Sequence, residues 1–137
     1  MTFPAQDFTT GQVLTAAQMD EISTEINDLW RATFRAVTGT SDTLALADSY
    51  NKIVTYSNTG TTTITIPSSS SVAFTTGAIV NILKTGATGT VSIVQGSGVT
   101  ISSAGATATN PVITATAGAA SIIKTGGDSF TVVGRIA

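Results

Sequence analysis

The chain has 137 residues, a net charge of −2 and only 10% charged residues. It contains no Cys and no His, which excludes disulfides, thiolate nucleophiles, Cys/His zinc sites and His-based acid–base catalysis. Since so small a net charge provides no attraction for a phosphate backbone, we expect no nucleic acid partner. We also expect no membrane span, because no apolar run approaches roughly 18 residues. The first residues lack a signal-peptide pattern, so we expect synthesis in a cytoplasm.

Residues 1–14 show no hydrophobic period. Phe3, Pro4 and Phe8 stand there among small polar residues. Apolar side chains exposed together usually mark a contact, so we interpret residues 1–14 as an arm that docks on a partner surface through these three side chains. The alternative is that Phe3 and Phe8 pack against the same chain.

Residues 15–37 are predicted to form the one long helix. Its apolar residues recur at the spacing of a single helix face; they are Met19, Ile22, Ile26 and Leu29, with Trp30 widening the stripe. Thr15 followed by Gln18 predicts a capping box at the start, and Gly39 provides the stop signal. Because the acidic residues fall mainly on the opposite face, we interpret them as solvated rather than as a metal or acid–base site.

The helix stripe needs a partner surface. Read as heptads, it forms a mostly Ile seam that favours three or more helices, so we predict that the stripe is the interface of a homotrimeric coiled coil. Two heptads are marginal as an isolated coiled coil. Packing of the stripe on the β-domain of the same chain is the alternative.

Residues 38–137 are predicted to form a β-rich domain. Short runs rich in Thr, Val and Ile alternate with turn residues; the predicted strands are 43–46, 52–56, 61–66, 78–84, 91–95, 99–102, 112–116, 120–124 and 129–136. Turn signals at such short intervals favour an antiparallel sandwich or barrel over a parallel sheet. The fold class is therefore mainly β, with an arm and one helix before an antiparallel sandwich or barrel-like domain.

A short sequence repeat, which we call the echo, occurs within this domain. Residues 82–86, ILKTG, reappear as residues 122–126, IIKTG, and each is followed by a strand pattern. The echo implies two hairpins of one design. We favour convergence on ordinary turn chemistry over duplication.

The sequence predicts no catalytic, cofactor or metal site. Residues 96–98 lack the third Gly and following helix of a phosphate loop, and Asp42 and Asp48 match no calcium loop. We therefore expect a protein that is not an enzyme. Tyr50 and Tyr56 are the candidates for stacking on a sugar ring, which makes a glycan-binding module a competing interpretation.

Two stretches resemble known proteins. FTTGQVLTAAQMDEI, residues 8–22, is similar to the opening of small bacteriophage virion proteins, in which a G-x-V-L-T-A-A-x-M/L-N phrase precedes a helix; Asp20 stands in place of the Asn. The segment from Thr43 to the end resembles a β-rich domain of phage tail fibres. Its matching residues are Ile66-Pro67, Phe74 to Gly77 and GSGVTI at 96–101, and Phe130 stands where an aromatic residue, often Trp, is found.

The resemblance implies a trimeric virion structural protein. Its arm and helix would attach to other virion proteins of the tail or capsid, and its β-domain would point outward, where it could contact a host surface glycan. A short fibre or tail-fibre-like component is the first interpretation. A capsid decoration or head-fibre protein is the second.

Overall fold

The computed structural model describes residues 15–103 and 110–137. The chain divides into two compact units, with the boundary between Arg31 and Ala32. The predicted docking residues Phe3, Pro4 and Phe8 lie outside the described residues.

The first unit contains one helix, α1, at Ala16–Leu29. The predicted capping box is confirmed: the Thr15 N–H donates to Oε1 of Gln18 at 2.9 Å, and the Gln18 N–H donates to Oγ1 of Thr15 at 3.3 Å. Together these bonds satisfy two backbone donors that a helix start leaves without intrahelical acceptors.

The helix ends earlier than predicted. Residues 33–37 form a β-strand instead of the last helical turns, and the boundary set at residue 38 was therefore wrong. β-Branched Thr33 and Val37 and the aromatic Phe34 suit a pleated strand better than a helix end. Pairing with a second strand then outweighs the weak helical preference of this segment.

The second unit is mainly β. Within the described residues it contains a short 3-10 helix at Leu46–Ser49 and ten strands. The strands are β1 Thr33–Val37, β2 Ser41–Thr43, β3 Lys52–Tyr56, β4 Thr62–Ile66, β5 Ile79–Lys84, β6 Val91–Gln95, β7 Thr100–Ser103, β8 Val112–Ile113, β9 Ala119–Gly126 and β10 Ser129–Gly134. β3 and β6 match the sequence prediction to the residue. The predicted strand at 43–46 was wrong, because a 3-10 helix begins at Leu46.

The strands form two mixed sheets. The six-stranded sheet has the order β1-β3-β5-β9-β10-β7 and the four-stranded sheet the order β2-β4-β6-β8. From β1 to β6 the chain alternates between the two sheets, and each strand pairs in parallel with the one two positions earlier. The described chain thus winds three times through the same pair of sheets before β9 returns antiparallel to β5.

The predicted antiparallel arrangement was wrong for most of the domain. Short turns normally join antiparallel neighbours, whereas parallel neighbours need a crossover of a dozen or more residues. Here each crossover consists of a strand in the other sheet and its flanking turns, so the turns are short although the pairing is parallel. Antiparallel pairing is confined to β5–β9, β9–β10 and β6–β8 among the described strands.

The echo does not mark two equal hairpins. β9 and β10 form a hairpin, but β5 lies in the six-stranded sheet and β6 in the four-stranded sheet, so the prediction of a second hairpin was wrong. The two echo segments instead end β5 and β9, which pair antiparallel with Ile79 opposite Ile123.

One hydrophobic core takes side chains from both sheets. The six-stranded sheet contributes Val54, Val80, Ile82, Ile122 and Val132, among others, and the four-stranded sheet contributes Ile64, Ile66, Val91, Ile93 and Ile113. Buried and more exposed positions alternate along β4, β5 and β9, as expected when one face of each strand is covered.

Candidate functional site

The stripe of α1 is largely exposed in the single chain. Met19, Ile26 and Trp30 are 55%, 46% and 85% exposed, respectively, and Ile22 is half-buried. Leu29 belongs to the helix, but its side chain is outside the described set. The predicted interface residues that can be evaluated thus present apolar surface, and their role in a trimer stays a prediction.

A charged cluster lies at the first winding of the chain. Arg35 of β1 donates from Nη1 and Nη2 to both carboxylate oxygens of Asp42, at 3.0 and 2.7 Å. It also donates from Nε and Nη2 to the two oxygens of Asp48, at 2.8 and 2.9 Å. Oδ2 of Asp42 accepts the hydroxyl of Tyr56 at 2.6 Å. We call these four residues the Arg35 cluster.

The strand register explains where the cluster sits. Arg35 is in register with Val54, and Val54 with Ile82; Asp42 occupies the same place beside Ile64 in the other sheet. Side chains in register share a sheet face. In the first winding, Arg35 and Asp42 therefore project on the faces where the later windings place core residues. The core therefore ends in an ion pair rather than in exposed apolar surface.

Burial controls the electrostatics of the cluster. Asp48 is almost fully buried, and its carboxylate also accepts the N–H of Ala45 at 2.8 Å. Burial and the hydrogen bond to Asp42 raise the pKa of Tyr56 well above its usual range. The hydrogen bonds to Asp42 and Asp48 raise the pKa of Arg35 despite its partial burial. The cluster is thus a fixed arrangement of two carboxylates, one guanidinium and one neutral phenol.

Two buried lysines were missed by the sequence prediction. The ammonium of Lys84 donates to the carbonyl of Gly86. That of Lys124 donates to the Phe74 carbonyl at 2.8 Å and to Oγ of Ser69. A signal was present, because each Lys lies two residues after a buried Ile and therefore on the same face of its strand.

The two predicted glycan contacts differ in their exposure to solvent. Tyr50 is 63% exposed and stays a candidate for ring stacking. Tyr56 is 1% exposed and its hydroxyl is bound by Asp42, so its assignment as a glycan contact was wrong. An alternating pattern that places Val54 inward also places Tyr56 inward, and this signal could have shown its burial.

A groove lies on the six-stranded sheet. It has a volume of about 510 Å³ and crosses β3, β5, β9 and β10. Ile53, Leu83 and Val133 form apolar walls, and Asn81 and Ser121 supply polar groups. Sequence reasoning missed it, because the side chains come together only through pairing of distant strands.

In the part of the chain that the structure describes, no group of three or more His, Cys, Asp or Glu side chains is placed to hold a metal ion. No helix in that part is long and apolar enough to cross a bilayer. No known family model matches the chain, and no curated protein sequence is similar to it.

Proposed function

We propose that this chain is a non-enzymatic structural protein of a bacteriophage virion. It would form a homotrimer, attach to the particle through residues 1–14, and present its β-unit outward as a short fibre or tail-fibre-like component. In this proposal the two sheets face each other across the shared core as a sandwich.

The observation that carries the proposal is the exposed stripe of α1. Met19 and Ile26 lie seven residues apart on one helix face and are both about half exposed. Full burial of such a side chain contributes roughly 1.5–3 kcal/mol of stabilisation. Three helices that pack along this stripe would gain much of that free energy. A homotrimer held together by three copies of α1, each followed by its β-unit, suits a symmetric particle.

The surface chemistry supports the same function. Charged residues make up only 10% of the chain, and five of them, Lys84, Lys124, Arg35, Asp42 and Asp48, are buried or partly buried within the β-unit. The outward surface is therefore mostly neutral and rich in hydroxyl groups, as expected of a part that projects from a particle and must resist non-specific attachment.

The experiment is immunogold labelling of purified phage particles with antibodies raised against the β-unit. Label at the tail supports the fibre proposal, and label over the capsid favours the decoration or head-fibre alternative. In parallel, a chain lacking residues 1–14 is supplied beside the full chain during particle assembly. The proposal expects the shortened chain to fold but not to incorporate. Absence of label on any particle, or equal incorporation of both chains, would contradict it.

Exposed Tyr50 favours a second candidate function, binding of a host surface glycan. A Tyr50→Ala variant that loses binding on a glycan array, with an unchanged melting temperature, would support this function. Phe34→Ala is a matched control, since it removes another exposed ring.

A further inference from the structure

The outward face of the six-stranded sheet carries the groove and, beside it, an exposed aromatic ring. We propose that in the homotrimer the groove of each copy takes the Phe34 ring of the next copy. This inference rests on the proposed homotrimer of α1 and adds a second contact to it, between the β-units.

The strand register places the ring and the groove on one face. Phe34 is in register with Ile53, and Ile53 with Asn81. Asn81 is opposite Ser121, and Ser121 is opposite Val133. These five positions alternate with more buried ones along their strands, so the row crosses the sheet on the side away from the core.

The groove has apolar walls. Ile53 and Leu83 supply them on one side, and Val133 supplies them on the other. Between the walls, Oγ of Ser121 donates to Oδ1 of Asn81 at 2.7 Å, so these two polar groups already share a hydrogen bond. The groove therefore suits an apolar occupant.

The floor of the groove is built from small residues held close together. Gly134 has φ +145°, and a Cβ at this position would lie 2.6 Å from Cα of Ala120. Only glycine permits this approach of β10 to β9. The backbone thereby leaves a volume of about 510 Å³ where larger side chains would fill the space.

The ring of Phe34 does not fill the groove of its own chain. Phe34 is 67% exposed and is not among the residues that line the groove. A single chain thus presents both an uncovered apolar ring and an uncovered apolar groove on one face. Exposed apolar surface of this kind usually marks a contact with a partner.

The outward face is uncharged, which favours a second copy as the partner. Besides Phe34, Ile53, Leu83 and Val133, the outward positions of the six described strands are all Ala, Ile, Asn, Ser or Thr. Lys52 shares the opposite face with buried Val54. Two copies of such a face meet without burying an unpaired charge, which would be costly.

The other sheet differs. The outward positions of β4 and β6 include Thr63, Thr65 and Ser92, which present hydroxyl groups. The apolar side of the β-unit is therefore the six-stranded sheet, and the hydroxyl-rich side is the four-stranded sheet.

The area of the face suits a contact that supplements another one. Six strands span roughly 24 Å and a five-residue strand about 16 Å, which gives roughly 400 Å². A stable interface buries about 800 Å² on each partner, so this face is too small to hold two chains together alone.

The connection to α1 compensates for the small area. Only residues 30–32 separate α1 from β1, so chains joined along α1 keep their β1 strands on short tethers. Short tethers give effective concentrations on the order of millimolar, at which a small apolar contact forms. A contact between two different surfaces closes into a ring under threefold symmetry, so each chain gives one Phe34 ring and receives one.

The test is an intermolecular nuclear Overhauser effect (NOE) in trimers of the full chain. Deuterated chains with ¹³C-labelled, protonated Val methyl groups are refolded with an equal amount of chains that are protonated only in their Phe rings. Phe34 and Val133 of one chain lie four strand spacings apart, roughly 19 Å, which is too far for an NOE. We expect an NOE between a Phe ring and the Val133 methyl groups, and none to Val94 on the outward face of β6.

Three variants locate the contact. Phe34→Leu should abolish the NOE, which assigns it to this ring. Ser121→Lys places a charge in the groove and should also abolish it. Ser92→Lys makes the same exchange at a half-buried outward position of the other sheet and should leave the NOE unchanged. Light scattering should give the mass of three chains for all of them, and circular dichroism melting curves confirm that each is folded.

The outcomes separate this inference from the homotrimer on which it rests. A mass of three chains without the NOE would overturn the inference and leave the α1 trimer standing; the face would then be covered by another protein or a small apolar molecule. An NOE that survives both Phe34→Leu and Ser121→Lys would overturn it as well. A wild-type mass of one chain would overturn both proposals.

Discussion

Replacing Arg35 by Met should destabilise the β-unit strongly. The guanidinium makes four hydrogen bonds to two carboxylates, and Met retains most of the apolar stem without the charge. The variant leaves Asp42 and Asp48 facing each other with no cation between them. Asp48 cannot turn to water, because its side chain is 1% exposed.

The size of the effect follows from burial. Removing one partner of a fully buried ion pair costs about 3–5 kcal/mol. The Arg35 side chain is 30% exposed and that of Asp42 11%, so water screens part of the interaction and the cost falls to about 2–3 kcal/mol. In a unit of this size that loss lowers the melting temperature by roughly 8–12 °C.

The assay is urea unfolding followed by far-ultraviolet circular dichroism. Arg35→Lys should lose about 1–2 kcal/mol, since an ammonium keeps the charge but lacks the planar fork that serves both carboxylates. Arg135→Met removes an exposed Arg after β10 and should change stability by less than about 0.5 kcal/mol. If Arg35→Met were as mild as Arg135→Met, the cluster would not stabilise the end of the core and the reasoning would be refuted.

Three further changes test other parts of the structure. Tyr56→Phe removes the hydroxyl bound to Asp42 without leaving a cavity and should cost about 1.5–3 kcal/mol of unfolding free energy. Because the folded pKa of Tyr56 is raised, the stabilisation from this hydroxyl is present below about pH 10 and is lost above that pH. The variant should therefore show less alkaline destabilisation in a pH series of melting temperatures. Asp128 accepts hydrogen bonds from the backbone and hydroxyl of Ser69, which lower its pKa. The stabilisation from its carboxylate is therefore lost as the pH falls below about 4. Asp128→Asn should make the melting temperature less dependent on pH on the acid side of the same series, and an unchanged acid side would contradict this. Ile93→Ala should cost about 2–5 kcal/mol in urea unfolding, whereas Ile79→Ala, at an exposed position of β5, should cost less than about 1 kcal/mol; equal losses would mean that the core is not where the two sheets place it.

Local patterns predicted the elements well but not their connections. The 3.6-residue period located α1, and the period of two located β3 and β6 to the residue. Both signals are set by a few neighbouring side chains. Pairing direction depends on where the chain goes after each turn, and a crossover made of a strand in another sheet has no local signature.

The polar groups inside the β-unit were the harder part. Arg35 was assigned to the helix because it falls within the predicted span 15–37, yet β1 holds it in register with Val54, on the face where it meets Asp42. Lys84 resembled a turn residue of the Lys-Thr-Gly echo, although its place two residues after Ile82 marked it as inward. A buried charge is recognised from sequence only when its partner is known, and these partners are set by tertiary contacts.

The assembly of α1 is the central claim, and static light scattering over a dilution series measures it directly. We expect a constant mass of three times the 13.8 kDa of one chain, and a fall to the mass of one chain when Ile22 and Ile26 are both replaced by Asn. A wild-type mass of one chain at every concentration would contradict it, because the exposed stripe would then have no partner among copies of this protein.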